Sequence, residues 1–240
     1  MELVFEIEPV KRRETLEDRL RRLEGIVDWI DIPDSPLGTT RFSSPLASCM
    51  SKGISSLKVL SHIRVIDVNR IALEAMLKGL SLCGVEGVVF LRGDVVDSVP
   101  VIRDVEPEEA VRTAKSLELP LLVGLTLSLR KSPEEVEARL RAGADLYLAL
   151  NLSEGNMWKL ESAAKIARGK RVIPYLVLLT EKNREKLRPL LGKAPLYDAE
   201  GALKLSEAIA SLSNPPSGLL LSSPGDFEAG LRLAEALRKR

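Results

Sequence analysis

Residues 120–151, PLLVGLTLSLRKSPEEVEARLRAGADLYLALN, contain the unit that decides the fold. The apolar runs at 120–127 and 145–151 have the length and composition of buried strands. The segment between them, 132–144, has the pattern of a helix, with Ser132 as N-cap, a proline at the first helical position and a closing glycine. Two strands joined by a helix in this way are expected to be parallel.

The same alternation of strand and helix runs along the whole chain. The predicted strands are residues 2–7, 27–33, 58–66, 87–93, 120–127, 145–151, 171–178 and 218–223. Amphipathic helical patterns lie between them, as at 14–26 and 69–84. Eight such units without a break in composition predict a single (β/α)8 barrel domain over 1–240. An open, doubly wound parallel sheet is the alternative.

Composition restricts the classes of partner. The chain has 240 residues, of which 45% are hydrophobic, so it can bury one large core. Lys and Arg total 35 against 34 for Asp and Glu, and the signs are interleaved, which argues against a nucleic-acid partner. No apolar stretch reaches the roughly 18 residues that a membrane span requires. We therefore expect a cytoplasmic protein that contacts neither nucleic acid nor membrane.

Two residue types are scarce and one is absent. Cys49 and Cys83 are the only cysteines, too few and too separated for a zinc site or a disulfide framework, so we expect two buried thiols and no metal. The chain has no Gln, and His62 is its only histidine, while charged residues make up 29%. Depletion of amides beside abundant charge is typical of proteins from thermophiles.

Polar side chains follow the predicted strands at the point where each strand ends. They are Glu6, Asp31, His62, Asp94, Thr126 and Asn151. In a (β/α)8 barrel the carboxyl ends of the strands form one face, and that face carries the chemistry. We therefore expect Glu6, His62 and Asp94 to converge on one cavity there.

Four segments, in order, resemble the methylenetetrahydrofolate reductases, which are flavin-linked (β/α)8 barrels. FEIEP at 5–9 resembles the family's Phe-Glu-Phe-Phe-Pro motif, and DWIDIPDSPLG at 28–38 resembles its second strand and loop. SHIRVIDVNR at 61–70 resembles Pro-His-Leu-Thr-Cys-Arg-Asp-Arg-Asn-Arg, and the end of GVEGVVFLRGD at 84–94 matches Leu-Arg-Gly-Asp. Taken alone, the stretch VVFLRGD favours a strand that ends in a surface turn. Each motif alone is weak, but four in the family's order at compatible spacing are a strong resemblance.

The resemblance implies catalytic and substrate-binding roles. Glu6 matches the glutamate that protonates the methylene-bridged ring of the substrate, which opens it to an iminium. A carboxyl group can do this near neutral pH if burial raises its pKa. Asp94 matches the aspartate that accepts hydrogen bonds from the pterin, and Asn151 stands beside Leu150, where the family has a glutamine that faces the substrate.

The resemblance also implies a bound FAD. The backbone of Leu91, Arg92, Gly93 and Asp94 would lie along the flavin and pterin, where a glycine allows close approach. Arg92 would anchor the ribityl or phosphate portion of the flavin, or else form an ion pair on the barrel rim. His62 would contact the flavin, or else be a satisfied core histidine.

Asn69 and Arg70 would brace the cofactor loop in the family's manner. The alternative, structural interpretation of the same loop makes Asp67 the N-cap of the following helix.

The sequence departs from the family at several positions. Pro33 replaces a threonine, residues 123–135 lack the fifth-strand flavin motif, and 219–230 lack the family's Tyr-x-x-Asn-Arg pattern. Ser222, Ser223 and Gly225 could instead cradle a phosphate or form a capped turn.

These observations predict an oxidoreductase that reduces a methylene-tetrahydropterin, folate or a modified pterin, to the methyl form. A non-catalytic pterin- or flavin-binding homologue, acting as a subunit of a one-carbon complex, is the alternative. A homo-oligomer or an electron-donating partner subunit is left open.

Overall fold

The computed structural model of the protein describes residues 1–8, 10–40, 42–96 and 98–239. Pro9, the last residue of the FEIEP motif, lies outside them. The strands are β1 Glu2–Glu6, β2 Trp29–Ile32, β3 Lys58–Arg64, β4 Gly87–Leu91, β5 Leu122–Ser128, β6 Leu146–Leu150, β7 Arg171–Val177 and β8 Gly218–Ser222. The helices are α1 Arg13–Leu23, α2 Ser44–Lys52, α3 Arg70–Leu82, α4 Pro107–Ser116, α5 Pro133–Leu140, α6 Met157–Ala167, α7 Glu181–Leu191, α8 Ala199–Ala210 and α9 Phe227–Arg238.

The eight strands form a closed parallel barrel in chain order. The barrel is closed by β1 and β8, which pair with Val4 opposite Leu220. This closure confirms the predicted (β/α)8 barrel and excludes the open sheet. Helices follow the strands around the outside, with two of them, α7 and α8, between β7 and β8.

The helix predicted from Ser132 begins as expected. The Ser132 hydroxyl accepts a hydrogen bond from the Glu135 backbone N–H, and the Glu135 carboxylate accepts one from the Ser132 backbone N–H. Gly143 follows the helix with a φ of 86°, a conformation that favours glycine.

Alternation along each strand fills the barrel with apolar side chains. The interior cluster comprises Val4, Trp29, Leu60, Val89, Leu146, Leu148, Ile173 and Leu220. Side chains two residues apart on a strand point the same way. Glu6, Asp31 and His62 each lie two residues after a member of this cluster, so all three point into the barrel at its C-terminal end.

A cluster of charged side chains around a tryptophan ring lies at the opposite, N-terminal end of the barrel. The Trp29 ring lies between Lys58 Nζ, 5.1 Å from its centroid, and the Arg171 guanidinium, 5.4 Å away. Glu2 forms ion pairs with both cations.

Cys49 and Cys83 are bonded to each other, with their Cα atoms 5.2 Å apart. The prediction of two buried thiols was therefore wrong, and Cys83 is exposed. The cysteines are 34 positions apart in sequence, which concealed their proximity. They meet because α2 and α3 pack side by side. Among the described residues, no helix has the length and apolar character needed to cross a membrane.

Candidate functional site

Glu6 ends β1 at the C-terminal end of the barrel, and only 8% of it is exposed. Its Oε1 accepts a hydrogen bond from Ser222 Oγ at 2.6 Å, and its Oε2 accepts one from the Tyr175 hydroxyl. These two donors come from β8 and β7, so three strands fix the carboxyl group. No basic side chain is among its hydrogen-bond partners in the described part of the chain.

Asp31 and His62 form a second polar pair beside Glu6. Asp31 is opposite Glu6 in the register of β1 and β2 and is completely buried. Its Oδ1 is 2.8 Å from His62 Nε2, and His62 is 6% exposed. The Asp31 Oδ2 has no hydrogen-bond partner among the described residues. The His62 backbone N–H donates to Ser44 Oγ at 2.9 Å, which fixes the strand beneath the ring.

The electrostatics of this group favour a protonated Glu6. Burial, followed by the charge of Asp31, raises the pKa of Glu6 to about 7. Burial alone would lower the pKa of His62, but Asp31, with smaller contributions from Glu6 and Asp34, raises it above the ordinary value. Burial and the proximity of Glu6 raise the pKa of Tyr175 well above its ordinary value, so Tyr175 stays a hydrogen-bond donor. The site therefore holds an acid that is half-protonated near neutral pH.

A cavity of about 840 Å³ opens above this acid. Glu6, Tyr175 and Ser222 line its barrel side, while Lys182, Lys186 and Leu187 of α7 line the outer wall. The volume is in the range of small-molecule sites. We call it the mouth cavity.

Asp94 lies against a different cavity. That second cavity, of about 320 Å³, is lined by Asp94 together with Ser35, Arg64 and Asp67. The structure thus brings Glu6 and His62 into one cluster but leaves Asp94 outside the mouth cavity. The Arg64 side chain, which also lines this second cavity, donates hydrogen bonds to the backbone oxygens of Ser35 and Asp94, each at 2.8 Å.

Arg92 and Asn151 lie farther around the rim. Arg92 is exposed and lines a third cavity of about 540 Å³ together with Thr126, Ser128 and Leu150. None of the ion pairs within the described residues includes Arg92, so the alternative of a rim ion pair is not seen. Asn151 has a φ of 62°, and its Nδ2 donates to Ser128 Oγ at 3.3 Å.

The β3–α3 loop uses its polar residues within the fold. Asn69, and not Asp67, is the N-cap of α3, since its Oδ1 accepts from the Ala72 backbone N–H at 2.9 Å. Asp67 pairs instead with Arg64, at 2.7 Å between Oδ2 and Nε. Arg70 pairs with Glu109 of α4.

The β8–α9 turn is a capped turn and also supplies a site residue. Ser223 Oγ donates to the Asp226 backbone oxygen, and the Gly225 N–H donates to Glu8. Ser222 points at Glu6 instead. The sequence arguments missed Tyr175 and gave Ser222 no role beside Glu6. Both follow an interior residue by two positions, namely Ile173 and Leu220, so strand alternation was the signal that could have found them.

The flavin implied by the resemblance does not fit this arrangement. In the family the glycine of Leu-Arg-Gly-Asp lets the cofactor approach the backbone. A Cβ on Gly93 would lie 2.8 Å from Arg64 Nε and 3.0 Å from Ile66 Cγ2, so protein atoms fill that space. When SHIRVIDVNR at 61–70 is placed against the family's stretch, Arg64 stands where the family has a threonine. Asn69 and Arg70 also bond to other residues of the protein, as a helix cap and an ion pair. We therefore derive no reaction step through a flavin.

Comparison with known proteins gives the class of fold. No protein-family model matches the chain, and no curated protein sequence does so either. Among similar solved structures is an uncharacterized protein from Clostridium thermocellum that binds two copies of 5-methyl-5,6,7,8-tetrahydrofolic acid. Its TM-score is 0.72 at 13% identity, over 99% of this chain and 95% of that one.

Two further structures share the architecture. A mutant tryptophan synthase α-subunit from the hyperthermophile Pyrococcus furiosus has a TM-score of 0.63 at 12% identity, over 99% of this chain and 95% of that chain. Oxaloacetate acetylhydrolase has a TM-score of 0.58 at 15% identity, over 100% and 80%. These are different activities on one architecture, so at such identities the likeness establishes the (β/α)8 fold alone.

Proposed function

We propose that this chain binds a reduced pterin in the mouth cavity and that Glu6 is the general acid toward the bound ring. The observation that carries the proposal is the Glu6 carboxyl group, buried at the C-terminal end of the barrel with a pKa of about 7. An acid whose pKa lies near the working pH is suited to proton transfer.

Two further observations support the pterin as ligand. Glu6, His62 and the 91–94 strand end fall on motifs that resemble the methylenetetrahydrofolate reductases. A structure with the same fold over nearly the whole chain belongs to a protein that binds 5-methyl-5,6,7,8-tetrahydrofolic acid.

The reaction class that fits is reduction of a methylene-tetrahydropterin to the methyl form. A proton from Glu6 to the ring nitrogen breaks one C–N bond of the methylene bridge and leaves an iminium. A hydride equivalent from an external reductant then converts the iminium to the methyl group. Tyr175 and Ser222, which donate to Glu6, hold the resulting carboxylate.

Arg64 favours a second candidate function, a pterin-binding protein without reductase activity. Its guanidinium occupies the space beside Gly93, where the family places its cofactor. In that case the chain would bind the pterin as a subunit of a larger assembly, and electron transfer would take place elsewhere in that assembly.

Isothermal titration calorimetry with 5-methyltetrahydrofolate tests binding. We expect heat of binding at pH 6 that weakens as the pH rises through about 7, because ionised Glu6 loses the proton it donates to the ligand. The Glu6→Gln variant keeps a donor and should show a flat pH profile. FAD, titrated in parallel, is expected to give no heat.

Two results would decide against the proposal. The first is absence of binding by 5-methyltetrahydrofolate and by tetrahydropterins with other tails, up to millimolar concentration. The second is binding whose pH dependence is the same in the parent and in Glu6→Gln. Saturable binding of FAD would contradict the misfit at Gly93.

A further inference from the structure

Glu6 and Asp31 form a pair of carboxyl groups at the bottom of the mouth cavity. They are opposite each other in the register of β1 and β2, and both point into the barrel. Neighbouring strands lie about 4.8 Å apart. Two carboxylates on adjacent strands that point the same way, with 8% and 0% exposure, cannot both be ionised without a large energetic cost.

The neighbours of the two groups decide which one carries the charge. Asp31 lies 2.8 Å from the His62 ring, a partner that becomes a cation on protonation. Glu6 has only the hydroxyl groups of Tyr175 and Ser222. Because no cation contacts Glu6 among the described residues, this geometry favours the proton on Glu6.

Part of the Asp31 charge is left without compensation. Its Oδ2 is buried and has no hydrogen-bond partner among the described residues. A carboxylate oxygen without donors keeps its field, and in a buried site that field is screened weakly. Asp31 therefore acts on Glu6 more strongly than a fully hydrogen-bonded carboxylate would.

We propose that Asp31 is a positioning residue for the acid, and that the charge of Asp31 holds the proton of the carboxyl pair on Glu6, an effect that the nearby His62 cation partly offsets. Asp31 does not line the mouth cavity, so it acts through Glu6. That this proton serves a bound pterin rests on the proposed function, whereas the proton's location does not.

The charged groups around the pair determine the expected signs. Glu6 is faced by Asp31 of β2, His62 of β3 and Tyr175 of β7, and Tyr175 is neutral in the relevant range. His62 is faced by Asp31, Glu6 and Asp34. Removing Asp31 takes away a negative charge and should make Glu6 a stronger acid. Removing His62 takes away a positive charge and should make Glu6 a weaker acid.

Carboxyl ¹³C NMR on protein labelled only in glutamate measures this directly without a ligand. The Glu6 resonance is identified by its loss in Glu6→Gln. We expect its midpoint at about pH 7 in the parent and about one pH unit or more lower in Asp31→Asn. In His62→Gln it should move upward. The opposite signs separate electrostatic control from a general loosening of the site, which would move both variants toward the ordinary glutamate value.

Asp34→Asn is the matched control. Asp34 faces His62 but is not among the groups that act on Glu6, so this variant should leave the Glu6 midpoint in place. A midpoint unchanged in Asp31→Asn overturns the proposal, as does a downward shift in His62→Gln. If Asp31→Asn fails to fold, His62→Gln still decides by its sign.

The same spectra separate this proposal from the proposed function. Opposite shifts in a protein that binds no pterin would support the Asp31 role and reject the ligand. Pterin binding by a protein whose Glu6 midpoint does not move in Asp31→Asn would support the ligand and reject the Asp31 role.

Discussion

The two ends of the barrel are built from the same strands and differ in how their charges are balanced. β1 contributes Glu2 at the N-terminal end and Glu6 at the C-terminal end, and β3 contributes Lys58 and His62 in the same way. At the N-terminal end one carboxylate meets two cations. At the C-terminal end two buried carboxyl groups lie side by side, and only one of them, Asp31, contacts the histidine.

Four residues along a strand thus separate a stabilising cluster from the cluster that we propose to be reactive. Glu2 is partly exposed and forms ion pairs with two cations. Glu6 is buried, and its hydrogen bonds come from neutral hydroxyl groups, so its charged form is unfavourable. Unfavourable burial of an acid is expected where a site performs chemistry, because it shifts the pKa toward the working pH.

The largest effect should come from Glu6→Gln on reduction of a methylene-tetrahydropterin. The amide keeps the shape and removes the acid, so single-turnover reduction should fall by about 100- to 10,000-fold. A chemical reductant such as reduced viologen should supply the electrons. Glu2→Gln, the same change at the other end of β1, should keep the parent rate. A Glu6→Gln variant as fast as the parent would remove Glu6 as the acid.

The second effect concerns the disulfide between α2 and α3. Both cysteines lie at the C-terminal ends of their helices, hence near the N-terminal end of the barrel. Closing a loop of 34 residues stabilises the fold by about 4 kcal/mol through the unfolded state. Replacing Cys49 and Cys83 by Ser should lower the free energy of unfolding in guanidinium by up to that amount. An intact Glu6 midpoint in this variant would show that the ends are independent, and an altered one would show that they are coupled.

The third effect is a pH dependence of stability that belongs to the C-terminal end. Glu6 has a pKa of about 7 when folded and 4.5 as its ordinary value. The folded state therefore holds an extra proton between these values, and stability falls as the pH rises from 4.5 to 7. The loss is about 3 kcal/mol for a shift of this size.

Denaturation of the parent and of Glu6→Gln between pH 4 and 8 measures this loss. The free energy of unfolding of Glu6→Gln should depend less on pH than that of the parent and should be higher at pH 8. In Glu2→Gln it should keep the parent's dependence on pH. Equal slopes in parent and Glu6→Gln would mean that Glu6 is ionised normally.

Sequence patterns predicted the fold well because strand and helix periodicities are local. All eight strands were found within a few residues, and the cap at Ser132 was identified in detail. The predicted strand ends placed Glu6 and His62 at the C-terminal face, but the motif position of Glu6, and not periodicity, distinguished it from Glu2 and Glu8. Contacts between distant segments did not follow. The Cys49–Cys83 bond, the Tyr175 hydrogen bond to Glu6 and the Arg64 side chain beside Gly93 all join residues far apart in sequence.

The smallest effect should come from Glu2→Gln on stability at neutral pH. Glu2 pairs with Lys58 and Arg171, but its side chain is 28% exposed and that of Arg171 34%, so water screens the pairs. Both cations also keep their contact with the Trp29 ring after the change. We expect a loss of about 0.5 to 1 kcal/mol in guanidinium denaturation. Glu137→Gln, which breaks an exposed pair with Arg141 on α5, is the control and should change stability by less. If Glu2→Gln also moved the Glu6 midpoint or weakened pterin binding, the charges at the two ends would act on each other through the barrel, and the separation of a stabilising end from a reactive end would fail.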